Sequence, residues 1–336
     1  MNIKYISLFS GCGGFDLGFE STGKYKCLLN VELEAKYFNT LQANQGLKLQ
    51  KGDKFLENSI IKNANVFAED VSNHINDISR TEKTWGIIAG PPCQSFSTLG
   101  KKGGISDPRG DLTIKFFDLI AQFRPSFFVF ENVPPLGQNP GIEIRKIIFD
   151  ILANSGYMFE AKVVNMADYG CYTKRKRFII LGSMKEKIPF PDGTHSEIGD
   201  LYLPQWKNCR QALEGLPSPY ESNDFTHHEP TRHSADVLAR FESLSPGQYD
   251  KIRHRSKLNP DKPGPTLVSG ANEGHRNHIH WDSRELSSRE CARLHGFPDD
   301  FIFYGTRPNV SKQIANSVPV EFGIAFGNHI ANHINI

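Results

Sequence analysis

An alternation in the first half of the chain does most to limit how it can fold. Short apolar runs recur, separated by longer segments of mixed character. Tyr5–Phe9 (YISLF), Gly86–Ala89 (GIIA), Phe127–Phe130 (FFVF) and Phe178–Leu181 (FIIL) read as buried strands. Leu112–Phe123 and Ile142–Ser155 between them read as helices. The second sets Ile144, Ile147, Ile148, Ile151 and Leu152 on one face. Strand then helix, repeated, predicts a mostly parallel, doubly wound α/β sheet. After about residue 185 prolines, histidines and short polar runs dominate and the periodicity fades. A second, smaller, loop-rich domain is expected over 186–311. Val318–Ile334 regains helical spacing and is expected to rejoin the first domain, giving 1–185 plus about 312–336 for that unit. A chain of 336 residues, 38% hydrophobic, can bury a core of that size.

The formal net charge is only +2, so a nucleic-acid partner would have to be met by local basic patches. Two such patches are Lys174–Arg177 (KRKR) and Lys251–Lys257 (KIRHRSK), although either reads equally as a solvated face. Six cysteines (Cys12, Cys27, Cys93, Cys171, Cys209 and Cys291) include no C-x-x-C pair, and reduced thiols of a cytoplasmic protein are expected. The N-terminal MNIKYISLFSGCGG lacks the pattern of a signal peptide. No segment approaches the ~20 apolar residues of a membrane span.

Ser7–Gly18 reads SLFSGCGGFDLG: a strand running into Gly11, Gly13 and Gly14, then a helix from Phe15. Glycines there let the chain turn sharply and let a ligand approach the helix start. Glu32 follows a second apolar run, Cys27–Val31, where an acid at a strand tip can accept hydrogen bonds from ribose hydroxyls. Asp70, followed by Val71, is the corresponding candidate at the tip of the third strand, facing an adenine amino group. Asp16 stands where the last glycine of G-x-G-x-x-G belongs, which disfavours a dinucleotide oxidoreductase. The loop fits a nucleoside cofactor or an ordinary tight turn.

Gly90–Ser97 reads GPPCQSFS directly after the GIIA strand. Cys93 therefore falls just past the carboxyl end of a parallel strand, where ligands bind in such sheets. Pro91 and Pro92 rigidify its turn. A lone cysteine is often a small core residue, but these polar flanks describe a loop. Phe127–Val133 (FFVFENV) runs into Glu131, a candidate partner for a nucleophile. Set after four apolar residues, its carboxyl is expected to have a raised pKa and to be protonated near neutral pH; the alternative is a structural acid capping a helix.

Taken together these residues resemble the DNA cytosine-C5 methyltransferases, over nearly the whole chain and in the family's order. FSGCGG, GPPCQSFS, DPRGDL (Asp107–Leu112), ENV (Glu131–Val133), YGCYTKRKR (Tyr169–Arg177), RECARLHGFP (Arg289–Pro298) and QIANSVPV (Gln313–Val320) carry the likeness. The resemblance implies methyl transfer from S-adenosylmethionine to C5 of a cytosine flipped out of double-stranded DNA. It implies Cys93 as nucleophile toward C6 and Glu131 at N3. Arg175 and Arg177 are implied to hold the target nucleotide. Phe9, Ser10, Gly11, Cys12, Gly13, Gly14, Phe15, Glu32, Asp70, Val71, Pro92, Leu112, Asn316 and Ser317 are implied around the cofactor. It further implies a monomer, a cognate restriction endonuclease as functional partner, and target recognition by the region after residue 186. Tyr172-Thr173, Ala315 and Leu33 depart from the family's usual Pro-Gln, glycine and aromatic residue.

In the recognition region Lys251, Arg253, Arg255, Lys257 and Arg276 are candidates for phosphate or base contacts, with His227, His228, His233 and His254 nearby. Each reads equally as a solvated surface residue. Lys262–Gly270 (KPGPTLVSG) is expected to be structural. His275–His280 (HRNHIH) has no cysteine or acid to complete a ligand set, and no metal is expected. Two other readings compete: an RNA cytosine methyltransferase and a non-catalytic regulator on the same fold. Gln94-Ser95 and the long region after 186 favour DNA over RNA, and the presence of both Cys93 and Glu131 disfavours the regulator.

Overall fold

A computed structural model describes residues 2–49, 53–92, 108–252, 254–268 and 277–334, with only the backbone of 108–111. Cys93, Arg253, His275 and Arg276 lie outside the described residues. In chain order the main elements are β1 (Ile3–Leu8), α1 (Gly14–Ser21), β2 (Tyr25–Glu32), α2 (Ala35–Asn44), β3 (Ile60–Asn63), α3 (Glu69–Thr81), β4 (Trp85–Ala89), α4 (Pro108–Phe123), β5 (Phe127–Asn132), α5 (Ile142–Asn154), β6 (Met158–Asn165), β7 (Thr173–Lys174) and β8 (Lys176–Ser183). Later come α6 (Cys209–Leu213), α7 (Ala235–Ser243), β9 (Tyr249–Asp250), β10 (Arg255–Ser256), β11 (Gly264–Pro265), α8 (Ser288–Leu294), α9 (Arg307–Asn316) and α10 (Val320–His333).

The principal sheet has seven strands in the order β3-β2-β1-β4-β5-β8-β6. β3, β2, β1, β4 and β5 run parallel, and β8 is antiparallel to both its neighbours. The chain winds from β1 outward through β2 and β3, then returns to place β4 on the other side of β1. That reversal opens a crevice beyond the carboxyl ends of β1 and β4.

Both faces of the sheet are covered, which is why its central strands read as unbroken apolar runs. On one face Tyr5, Cys27, Phe127 and Val129 meet Phe15 and Phe19 of α1 and Phe322 and Phe326 of α10. On the other, Ile6, Leu29, Ile87, Phe128 and Phe130 meet Val71, Phe116, Phe117, Ile148 and Leu152 of α3, α4 and α5. α1 and α10 touch through glycines. A Cβ on Gly18 would lie 2.4 Å from the Val320 carbonyl and 2.6 Å from Gly323 Cα. The C-terminal helix thus packs beside α1 over this face of the sheet.

Residues after 186 form short pieces. β9 pairs with β10, while β11, from the KPGPTLVSG segment, pairs with β7. The structural reading of that segment fits its contacts: Gly264 N donates to Tyr172 O at 2.8 Å and Thr266 Oγ1 to Lys174 O at 2.8 Å. Cys209, Leu258, Leu267 and Leu294 from this region join the core that contains Phe15 and Phe19. Val237, Phe241, Leu244 and Ile279 form a small separate cluster. No described helix is long and apolar enough to cross a membrane.

Candidate active site

The chain leaves β1 through Phe9, whose φ of +55° is left-handed and strained for a residue with a side chain. That turn sends Ser10–Gly13 back over the strand ends. Ser10 N donates to Val31 O at 3.2 Å and Ser10 Oγ to Ser7 O at 3.1 Å, so the loop is tied to β1 and β2. Gly11 N donates to Glu32 Oε2 at 2.8 Å, and Glu34 N to Glu32 Oε1 at 2.8 Å. Glu32 is buried at the tip of β2, and burial raises its pKa above the usual carboxylate range. Each carboxylate oxygen retains a lone pair for a further donor.

Phe9, Ser10, Gly11, Gly14, Phe15, Glu131, Asn316 and Ser317 line the crevice, and the sequence identifies all of these. Ser7, Asp16, Ile88, Ala89, Gly90 and Val318 also line it. None of these six is marked by sequence reasoning as a site residue. Two carry a signal nonetheless: Ser7 is the polar residue inside an apolar run, and Asp16 breaks the glycine spacing.

Gly14 is required by close approach. A Cβ there would stand 2.1 Å from Ser317 Oγ and 2.4 Å from the Val318 carbonyl. The link between α9 and α10 can therefore lie directly against the loop. Cys12 and Gly13 face the other way. Cys12 Sγ donates to Gln313 O at 3.5 Å, and burial pushes its thiol pKa up to about 12. A Cβ on Gly13 would meet Leu41 and Phe55. Leu112 is half-buried at the first turns of α4.

Asp70 does not stand at a strand tip. β3 ends at Asn63, and Asp70 occupies the first turn of α3, where a helix start favours a carboxylate. Its side chain is exposed and pairs with Lys62 Nζ at 2.5 Å, which holds its pKa below the usual value. Val71 turns into the core, fully buried. Leu33, in the family's aromatic position, is 64% exposed.

β4 delivers Gly90 to the crevice; Pro91, buried, and Pro92, exposed, follow it. Asn132 Nδ2 donates to Pro91 O at 3.4 Å, fixing this turn to the end of β5. Glu131, one residue earlier on β5, is buried, and Arg177 Nε of β8 stands 2.8 Å from its Oε1. The antiparallel register of β5 and β8 brings them together. The sequence sets this carboxyl after four apolar residues, and the structure places a cation beside it. The pair lacks hydrogen-bond alignment, so Glu131 Oε1 has no aligned donor among the described residues.

The two arginines of KRKR differ in setting. Arg177 Nη1 donates to Lys176 O at 2.7 Å, and its side chain keeps some exposure beside Glu131. Arg175 is 2% exposed, and its Nη1 donates to Ala315 O at 2.9 Å, in the last turn of α9. A cation there offsets the negative end of that helix. Burial first, and the charge of Arg177 second, push its pKa down to about 9, so it stays charged at neutral pH. Arg175 is thus tied to the end of α9 that carries Asn316 and Ser317. His295, not predicted from sequence, is fully buried nearby. Burial and these two arginines hold its pKa well below the usual value, so it is neutral.

Two of the basic residues assigned to recognition, Arg255 and Lys257, are also internal. Arg255 is 1% exposed and pairs with Glu285 at 2.8 Å; Lys257 is 5% exposed and donates to Phe241 O and Ser283 Oγ. His228 is buried between Ser287 Oγ and Pro217 O, His227 meets Phe303 O, and His233 faces Glu285. These are packing groups, since a buried charge persists only where it is paired. Lys251 and His254 remain exposed. Arg289 of RECARLHGFP is likewise structural, donating to Thr226 O, Pro298 O and Phe301 O. Among the described residues no cluster of His, Cys, Asp or Glu could hold a metal ion.

The family described as C-5 cytosine-specific DNA methylase matches residues 3–332. The chain belongs to the C-5 cytosine-specific DNA methylases. Its relatives include Type II methyltransferase M1.HphI of Haemophilus parahaemolyticus, 31% identical over 95% of this chain and 84% of that one. Another is M.MthTI of Methanothermobacter thermautotrophicus, 31% identical over 96% and 94%. Among solved structures, a prophage-encoded E. coli protein described as a DNA modification methyltransferase superposes with a TM-score of 0.74 at 27% identity, over 98% and 99% of the two chains. The S. pombe Dnmt2 methyltransferase shares the fold, with a TM-score of 0.68 at 15% identity over the whole of both chains. This methylase is therefore an enzyme with the methyltransferase sheet. The crevice, lined by the glycine loop that Glu32 supports and by Glu131, fits an adenosyl methyl donor. Gly14→Ala is expected to weaken binding of S-adenosylmethionine at least about tenfold and to lower the Tm, because a methyl group overpacks a backbone contact. Calorimetry and thermal melting check this; unchanged affinity would mean that the Ser317–Val318 link gives way.

Proposed function

We propose that this methylase transfers a methyl group to C5 of a cytosine flipped out of a specific double-stranded DNA sequence. In this reading it protects host DNA from a partner restriction endonuclease, and it acts as a monomer in the cytoplasm, associated with the nucleoid through DNA. The observation that carries the reading is the Glu131–Arg177 pair beside the Gly90–Pro92 turn, at the same crevice as the glycine loop. The division into 1–185 plus about 312–336 for catalysis and 186–311 for recognition belongs to the same proposal.

S-adenosylmethionine, when bound, supplies an electrophilic methyl group on a positively charged sulfur. Glu32 would hold its ribose hydroxyls, the backbone around Gly11 its amino-acid end, and Phe9 its adenine face. Asn316 and Ser317 would close the pocket from the returning C-terminal segment. Cys93, next after Pro92, would attack C6 of the cytosine as a thiolate, placing electron density on C5. Glu131, in its protonated form, would donate its proton to N3 as the sulfur–C6 bond forms, so that charge does not accumulate on the ring. Arg177 would hold Glu131 in place and reach cytosine O2. After methylation, loss of the C5 proton would expel the Cys93 sulfur and restore the aromatic ring.

Bisulfite sequencing of DNA from cells producing this chain tests the reading. Protected cytosines in one repeated sequence context are expected. Unmodified DNA alongside methylated RNA would overturn it in favour of an RNA substrate, and no modification at all would favour a binding protein.

A further inference from the structure

Asp16 occupies the third position of α1 and is fully buried, yet it is among the residues that line the crevice, and its carboxylate is bonded to the side chain of Ser7, another of them. Its carboxylate accepts from Ser7 Oγ at 3.0 Å, Asn30 Nδ2 at 2.8 Å and Tyr5 Oη at 3.3 Å. Ser59 Oγ donates in turn to Asn30 Oδ1 at 2.6 Å, which orients that amide toward Asp16. All these donors are neutral. Glu131, the other carboxylate on the crevice, has Arg177 against it; among the described residues Asp16 has no cation within ion-pair distance. Burial raises its pKa to about 6, offset by the three hydrogen bonds, so the group is ionised at pH 8.

A buried anion held only by neutral donors leaves one negative charge uncompensated at the edge of a ligand crevice. Charges interact more strongly across a partly desolvated site than in water. On the reading of this crevice as the adenosyl site, the ligand's sulfonium is a cation, whereas the thioether product differs from it by having lost that charge with the methyl group.

We infer that Asp16 is a specificity-determining residue, whose carboxylate favours the sulfonium donor over its uncharged thioether product. The preference is electrostatic and acts through the crevice wall; Asp16 takes no part in methyl transfer. Asp16→Asn keeps the shape of the side chain and removes its charge.

Isothermal titration calorimetry of the full chain at pH 8, with S-adenosylmethionine and S-adenosylhomocysteine, tests this. The ratio of the two Kd values cancels what the ligands share. Asp16→Asn is expected to shift that ratio about five- to tenfold toward the thioether, the size of one charge removed at several ångströms in a medium of intermediate dielectric. Ser7→Ala, which keeps the charge, is expected to leave the ratio within about twofold of the unaltered protein. An equal loss of affinity for both ligands in Asp16→Asn would make Asp16 a purely structural residue and overturn the inference. If that variant does not fold, the unaltered protein is measured at pH 8 and pH 5.5, where protonation of Asp16 is expected to shift the ratio in the same sense; a constant ratio overturns the inference. The titratable groups facing Asp16 are Tyr5 and Cys27, both shifted up, and Glu20, raised to about 7. Glu20 can titrate in the same window, so Glu20→Gln is run as a control and is expected to retain the pH-dependent shift. Binding of neither ligand by the unaltered protein would instead refute the cofactor reading on which the inference rests.

Discussion

Cys93→Ser is expected to abolish methyl transfer, by at least about a thousandfold, while leaving S-adenosylmethionine binding within about twofold. A serine hydroxyl is of similar size but is not ionised near neutral pH, so the attack on C6 loses its nucleophile. The described walls of the crevice, among them Phe9, Ser10, Gly11, Gly14, Asn316 and Ser317, are supplied by other segments. A transfer assay with isotopically labelled donor, paired with calorimetry, separates the two effects. Full activity in the serine variant would remove the covalent route. Lost cofactor binding would mean that residue 93 is needed to build the site.

The second large effect is expected at Glu131. Glu131→Gln should lower kcat by about a hundred- to a thousandfold, as removal of a single group aimed at developing charge generally does. The substitution also takes the counter-charge from Arg177, whose side chain is 14% exposed. Stranding one member of a desolvated pair destabilises a fold by about 3–5 kcal/mol at full burial, and the remaining exposure reduces that here. A lower Tm is therefore expected alongside the loss of rate. Rates are compared well below the Tm, and the rate loss should persist there. Near-normal turnover with a lowered Tm would make Glu131 a structural partner of Arg177 and nothing more.

The parts of the molecule legible in the sequence are those governed by burial on both faces. β1, β4, β5 and β8 are central strands, and their apolar runs follow from that position. β3 and β6 lie at the two edges, and their half-exposed residues give no such run. The loop glycines, Glu32 and Glu131 were legible because backbone turns and strand ends constrain residue type directly. The fates of Arg175, Arg255 and Lys257 were not. A basic residue reads the same in a sequence whether it faces solvent or is paired inside, and only the partners (Ala315 O, Glu285 and Ser283) distinguish the cases. Asp70 was misplaced for a related reason. Its residue type suits a strand tip and a helix start equally, and the short β3 offered little to decide between them.

The contact of α1 with α10 also fixes when this enzyme can come into being. Cys12 and Gln313 touch across 301 positions of sequence, and Gly18 rests on Gly323. Chains emerge from the ribosome at about 5–20 residues per second, so the glycine loop must wait tens of seconds for the segment that closes over it. Until then Ser317 is missing from the crevice and Gly14 has nothing to pack against. Completion of the crevice is therefore a late event in the folding of each molecule.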